Sequence, residues 1–406
     1  MAGKSRSRVR LTVVSAETPS QQSPSGFAAR LYHFLGAARE HMEVTLALIE
    51  LSTHGEVGSL PVDRVEVIPA PRSGWREPGR KGQLLRALVQ YPLDPLPYHC
   101  YPRRLPALSA LLRQEQPDVV VLYLPYLAQL IDHCPPGAAA IVALEEPWEW
   151  VVAAALGDAT AKDRWLAQRE SRRFERLYRR LSPRIEAAVA ISEAEAQYFG
   201  QTITPGKISV IPHGIDTRYF RSRESPRRDI DVLVVGRLRV VYNVDAALGA
   251  WETANATEAR RRWRWAFVGD IDLDVAERLR RRGCLVTGAV EDVRPFYERA
   301  RCVLVPALTG RGVKTTSLQA WAMGRPLVVS PVGGQGLPVS PGENALVGGD
   351  LKAMVERVQE VLDDPVLAQR LAENGRRTVE RELDLSVIAG AFAHLCLDVA
   401  ARRSAR

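Results

Sequence analysis

The sequence predicts an α/β protein made of two doubly wound, Rossmann-like parallel-sheet domains facing a cleft. Three observations carry this. Short β-branched runs alternate with segments whose apolar residues recur every three to four positions, the strand–helix alternation of parallel sheets. The alternation runs twice, interrupted by a polar, basic stretch from Asp216 to Asp229 that contains Pro226. The length, 406 residues, suits two or three domains at ~150 residues each.

In the first half, Arg10–Ala16 reads as a strand, and a Ser-, Pro- and Gln-rich loop from Glu17 to Gly26 follows it. Phe27–His41 reads as a helix with Phe27, Leu31, Phe34, Leu35 and Ala38 on one face. Val44–Leu51 and Asp63–Ala70 are two further strands. Residues 71–106 break the rhythm with many prolines, basic residues and aromatics, and read as a long, partly irregular insertion. Regularity returns with a helix over Leu105–Gln114, then strands over Asp118–Leu124 and Ala139–Glu145. A charged helix spans Ala161–Leu181, a strand Glu186–Ser192, a helix Glu193–Phe199 and a strand Ile208–Asp216.

The second half starts afresh with strands at Asp231–Leu238, Trp263–Asp270, Cys284–Val290, Cys302–Leu308 and Arg325–Pro331. Helices fill the gaps at Val244–Ala254, Asp274–Arg282, Val293–Ala300, Ser317–Met323, Leu351–Asp363 and Val366–Arg381. An amphipathic helix, Ser386–Ala401, closes the chain. The expected domains are therefore residues 1–212 and 217–385, with 386–406 crossing back onto the first.

Composition narrows the function. Hydrophobic residues at 46% and charged residues at 25% exclude a wholly disordered chain. The net charge of +8, carried by six lysines and 49 arginines, suits phosphates, nucleotides, nucleic acid or an anionic membrane surface. Five cysteines stand far apart with no Cys-x-x-Cys, which argues against a disulfide scaffold or cysteine-built zinc site and for a reducing compartment. The apolar stretch Val9–Ala16 is broken by Arg10 and Thr12, unlike a signal-peptide core. Val119–Ile131 contains Pro125 and Gln129 and falls short of the ~20 residues that span a bilayer. A cytoplasmic protein is expected, with membrane contact confined to its surface at the inner face of the cell membrane.

The segment Val303–Leu337 carries the sharpest chemical signal. A buried strand ends at Pro306, and the loop TGRGVKTT opens directly onto a helix. Unpaired N–H groups at a helix start attract anions. Gly312, Val313, Lys314, Thr315, Thr316 and Ser317 lie at that entry, and Arg311 adds a second cation. A second glycine turn, Gly333–Gly336, follows the next strand. No P-loop signature is present, so a nucleotide diphosphate would be held by this arrangement instead. The competing reading is an ordinary strand–loop–helix unit whose glycines only make the bend.

Gly236 and Arg237 end the first strand of the second half, where a guanidinium can grip a phosphate bidentately. In the first half, Ser25 and Gly26 precede a helix and allow a backbone approach to an acceptor. Glu145 and Glu146 place two carboxylates at a strand's carboxyl end, where either can orient a sugar hydroxyl or take a proton. Asp270–Asp274 offers Asp-x-Asp, read as a helix cap at Asp272 or Asp274 rather than a metal site. The arginine-rich runs Glu170–Arg180 and Arg260–Trp265 read as solvated faces.

On these motifs the chain resembles retaining glycosyltransferases of the glycosyltransferase-B fold, family 4 (group 1), and sugar transferases of exopolysaccharide clusters. The matching stretches are Val210–Asp216, Val234–Leu238, Tyr242–Leu248, Phe267–Asp270 and Val286–Leu337. The resemblance implies sugar transfer with retention from a UDP- or GDP-sugar, held by the second domain, to a glycan, lipid-linked or small-molecule acceptor on the first. It assigns Arg237 to the diphosphate. The family's Glu-x7-Glu motif falls on Arg311 and Gln319, the latter at the ribose position, and a family lysine falls on Tyr242. Arg237, Lys314 and Glu146 are the expected catalytic residues. Gly236, Arg237, Arg311, Gly312, Val313, Lys314, Thr315 and Gln319 are the expected donor-binding residues, and Ser25 and Gly26 the expected acceptor-binding pair. No tightly bound cofactor, metal or nucleic acid is expected. The departures at Arg311, Gln319 and Tyr242 favour, as the alternative, a catalytically degenerate binding or partner subunit. The basic charge raises a weaker third reading, nucleic-acid binding.

Overall fold

The computed structural model describes residues 8–21, 26–50, 59–69, 105–145, 147, 161–222, 228–236, 238, 244–308 and 312–405. The expected insertion at 71–106 thus lies outside the described residues, save its last two. The chain divides into two compact units, Met1–Pro212 with Ile388–Arg406, and His213–Val387.

The first unit holds a seven-stranded, all-parallel sheet. Its strands are β1 (Arg10–Ser15), β2 (Glu43–Glu50), β3 (Arg64–Pro69), β4 (Val119–Tyr123), β5 (Ala139–Glu145), β6 (Ile185–Ala190) and β7 (Ile208–Val210), in the order β3-β2-β1-β4-β5-β6-β7. Every residue of β4 and β5 is buried, which is why both read in sequence as unbroken apolar runs rather than alternating ones. Helix α1 (Gly26–His41) buries Leu31, Phe34, Leu35 and Ala38 of the face its periodicity predicts, together with Ala28, while Phe27 is only half-buried. Helices α2 (Pro106–Glu115), α3 (Ala161–Leu181) and α4 (Glu193–Phe199) complete the crossovers, with Ser192 capping α4 by accepting a hydrogen bond from Glu195 N.

Pro125–His133 forms a 3-10 helix rather than a continuation of the strand. Pro125–Ile131 are all buried, so the segment shows no polar face and no periodicity to read.

The second unit holds a six-stranded parallel sheet: β8 (Ile230–Val235), β9 (Trp265–Val268), β10 (Leu285–Val286), β11 (Ala300–Val305), β12 (Leu327–Val329) and β13 (Leu346–Val347), in the order β10-β9-β8-β11-β12-β13. Helices α5 (Val244–Asn255), α6 (Leu273–Arg281), α7 (Arg294–Arg299), α8 (Thr315–Ala322), α9 (Leu351–Asp363) and α10 (Pro365–Thr378) cover its faces. Asp272 caps α6 through Asp274 N, which resolves the Asp-x-Asp motif as a helix start. Asp364 caps α10 in the same way, ahead of Pro365 in the first turn.

The last helix, α11 (Leu385–Ser404), returns to the first unit. Phe392 stacks on Phe34 at 4.2 Å between ring centroids, and Ala393, Cys396 and Val399 are buried. By length and hydropathy α11 could cross a bilayer, but these apolar side chains are core groups of the first unit.

Candidate functional site

In each sheet the chain reverses its direction of growth once. In the second unit the reversal lies between β8 and β11, and in open α/β sheets ligands bind beyond the strand carboxyl ends at that point. The sequence puts its chemically loaded residues there.

Three adjacent strands end in glycine. Gly236 follows β8, Gly269 follows β9 and Gly288 lies two residues beyond β10, all with positive φ. Gly236 N donates to Val268 O at 2.9 Å, and Gly269 N to Gly288 O at 3.0 Å. A Cβ on Gly269 would lie 2.1 Å from Gly236 O, so the first two strand ends close on each other only without a side chain. Gly236 itself would bring a Cβ to 3.9 Å from Thr316 Cγ2, which sets the end of β8 beside the start of α8.

That helix start is held rigidly. Beyond β11 the chain reaches Gly312, in the left-handed region at φ 76°, then Val313 and Lys314, which is the N-cap of α8 in an extended conformation. The N-cap side chain itself makes no capping hydrogen bond. Ser317, fully buried, donates through Oγ to Gly333 O at 2.9 Å. Gly333 N donates in turn to Ser330 Oγ at 2.9 Å, and Ser330 Oγ donates to Ala307 O. A Cβ on Gly333 would meet Val305 O at 2.6 Å. The second glycine turn therefore locks α8 to the ends of β11 and β12. The outcome is a helix N-terminus fixed at a strand switch, with its positive dipole end and the Lys314 cation together.

Gln319 lies one turn further on, half-buried. Its Oε1 accepts a hydrogen bond from the Tyr297 hydroxyl at 3.0 Å. Tyr297 is fully buried on α7, and burial pushes its phenol far above the ordinary range. The amide oxygen of Gln319 is thus engaged inward, by the Tyr297 hydroxyl.

The structure therefore brings together Gly236, Gly312, Val313, Lys314, Thr315 and Gln319. Arg237, Arg311 and Tyr242 lie outside the described residues, as do Ser25 and Glu146 of the first unit. Among the described residues no group of three or more His, Cys, Asp or Glu side chains is placed to hold a metal ion.

In the first unit, Gly26 is the first residue of α1, and the Tyr123 hydroxyl donates to Phe27 O at 3.0 Å, pinning this helix start to the end of β4. Glu145 does not serve as an exposed carboxylate. It is buried, at φ 45°, and paired with the equally buried Arg30, whose guanidinium also stacks over Phe34 at 4.5 Å. Burial pushes the Glu145 carboxyl up, and Arg30 opposes the shift. The pair ties the carboxyl end of β5 to α1. The basic helix α3 shows a partly exposed stripe of Trp165, Arg169, Arg172 and Arg176, with Trp165 61% exposed and Arg169 over its ring at 5.6 Å.

Sequence reading missed Tyr297, Gly269 and the Arg30–Glu145 pair. Gly269 had a signal, because Phe267–Asp270 repeats the strand-then-glycine form of Val234–Arg237. Tyr297 and Arg30 had none, since a buried aromatic and one more arginine look alike in any helix.

Two family models match the chain, one over each unit: "Glycosyltransferase Family 4" over residues 63–219 and "Glycosyl transferases group 1" over residues 229–364. Among characterised proteins, glycogen synthase of Mycobacterium tuberculosis is 28% identical over 232 residues, 55% of this chain and 55% of that protein. The chain spans about half the length of the curated relatives it matches. Among solved structures, sucrose-phosphate synthase of Thermosynechococcus elongatus superposes with TM-score 0.69 at 16% identity, over 97% of this chain and 100% of that one. HepE of Anabaena in complex with UDP does so with TM-score 0.65 at 14% identity, over 96% and 100%. With a family model on each unit and a fold match along nearly its whole length, the chain belongs to the group 1 glycosyltransferases of family 4 type, with the glycosyltransferase-B fold.

Proposed function

We propose that the protein transfers a sugar, with retention, from a UDP- or GDP-sugar bound by the second unit to a glycan, lipid-linked or small-molecule acceptor bound by the first. The observation that carries this reading is the locked start of α8 at the β8–β11 switch, beside glycine-only strand ends and Lys314. Bond cleavage to the sugar leaves negative charge on the diphosphate. Fixed dipoles and cations at that charge lower the barrier because they need not reorganise as it develops. Lys314 supplies one cation, and Arg237, by its sequence position, the second; in this reading no metal is required. Retention rests on the family resemblance. A uridine nucleotide is supported by the HepE fold neighbour, whose structure holds UDP. The reading extends to a cytoplasmic location with contact at the anionic inner membrane face through α3, which vesicle co-flotation tests.

Calorimetric titration with uridine and guanosine diphosphates tests the donor site. Arg237→Ala and Lys314→Ala should each weaken the preferred nucleotide by roughly 1.5–3 kcal/mol, the scale of a charge-assisted hydrogen bond. Wild-type protein with a UDP- or GDP-sugar should release the nucleoside diphosphate on adding acceptor. Unchanged titrations in both variants would refute the site, and nucleotide binding without turnover of any donor would refute the activity.

A further inference from the structure

The Tyr297 hydroxyl has one proton and two acceptors within reach, Gln319 Oε1 at 3.0 Å and Thr316 O at 3.3 Å. Thr316 O is a helical carbonyl whose ordinary partner is the N–H four residues on. Gln319 Oε1 is the nearer acceptor. The phenol remains a donor at every physiological pH, because its burial opposes ionisation. An amide carries its oxygen and nitrogen on opposite sides of one carbon, so holding Oε1 toward Tyr297 turns Nε2 away from it. Among the described residues no protein acceptor takes the two Nε2 protons.

We infer that Tyr297 is a positioning residue for donor binding: it locks Gln319 so that the amide donates to the ribose hydroxyl oxygens of the nucleotide, where a glutamate would accept from them. This rests on the reading that the nucleotide lies over α8. Position 319 is then a fixed donor one turn beyond Lys314, and it adds no negative charge next to the diphosphate. Without the phenol, the amide loses its inward partner and can turn over. The recognition of the ribose diol is lost in part, while the rest of the nucleotide site is untouched.

The test compares dissociation constants for uridine diphosphate and 2′,3′-dideoxyuridine diphosphate, or the guanosine pair if that binds better. The wild type should prefer the diol by about tenfold or more, the scale on which hydroxyl-reading sites discriminate. Gln319→Leu should bring the ratio near one. Tyr297→Phe should cut it by about three- to tenfold, leave the dideoxy affinity within about twofold, and add nothing in the Gln319→Leu background. A diol preference that survives Gln319→Leu, or one absent from the wild type, overturns the ribose placement and this inference together. If Gln319→Leu abolishes the preference and Tyr297→Phe leaves it intact, the ribose placement stands and the inference about Tyr297 falls. Equal weakening of both ligands by Tyr297→Phe marks a merely structural tyrosine and also overturns it.

Discussion

Gly269 shows how one hydrogen atom in place of a side chain sets the way two strand ends meet. It combines a φ of 126° with a backbone oxygen where its Cβ would sit, whereas Gly288, at φ 81°, has open space around that position. The two separate the cost of conformation from the cost of collision. Gly288→Ala should lose about 1–2 kcal/mol of stability, the strain of a left-handed residue. Gly269→Ala should lose at least about 2 kcal/mol and also weaken nucleotide binding, because Gly236 must move. Urea denaturation and nucleotide titration of both variants check this; equal losses would mean that the contact with Gly236 O does not matter. At this scale the sequence disclosed residues whose neighbours on the chain give them away. Lys314 and Gly312 follow a strand and precede a helix, so their place was legible. Tyr297, Arg30 and the inward turn of Gln319 depend on partners 22 and 115 residues distant along the chain, which no local pattern encodes.

Among elements, those with an unbroken apolar run or a clear helical face were legible, and β4, β5, α1 and α9 fell where the pattern put them. The ones missed had too little sequence to show a period, as in two-residue β13, or were apolar all round, as in the Pro125–His133 turns. Helix α8 begins at Thr315 rather than the expected Ser317, because Gly312 and Lys314 complete the turn that leads into it. The junction into α11 was also unforeseen. Val379–Leu383 forms a π-helical turn, and Asp384 then accepts from Thr217 N at 3.2 Å and Ser386 N at 2.9 Å, as well as from both hydroxyls. Burial pushes this carboxyl up, but the hydrogen bonds from Ser386 and Thr217 outweigh it and hold it below the usual carboxylate value. A carboxylate with a depressed folded-state pKa adds stability that is fully present above its unfolded value, about 3.9, and disappears as pH falls through the lower folded value. Asp384→Asn should therefore be less stable than wild type at pH 6, and the gap should shrink as pH falls below the ordinary carboxylate range. Thermal melts from pH 6 to 2.5 measure it; a constant gap would place the effect in packing rather than charge.

For the whole molecule, the two-unit plan was legible because each sheet announces itself by its own series of strands and helices. The return of the last helix followed from its position beyond the second series, but its apolar character did not, since Phe392, Cys396 and Val399 serve the core of the other unit. The excess of arginine over lysine was legible only as a sum; the structure shows where part of it lies. On α3 a single-sign stripe flanks an exposed Trp165, the combination that seats a helix on an anionic interface. With about 1 kcal/mol per basic residue near such a surface, Arg172→Glu with Arg176→Glu should cut binding to anionic vesicles by more than tenfold. Partition to neutral vesicles should not change. Equal co-flotation of variant and wild type would remove the membrane from the account. The crossing of α11 has a further consequence, for the order of synthesis. A ribosome delivers Phe34 well before Phe392, with the second unit between them. The first unit therefore cannot finish its core as an independent nascent domain. It must wait, with the surface meant for α11 uncovered, while the whole of the second unit emerges between its two segments.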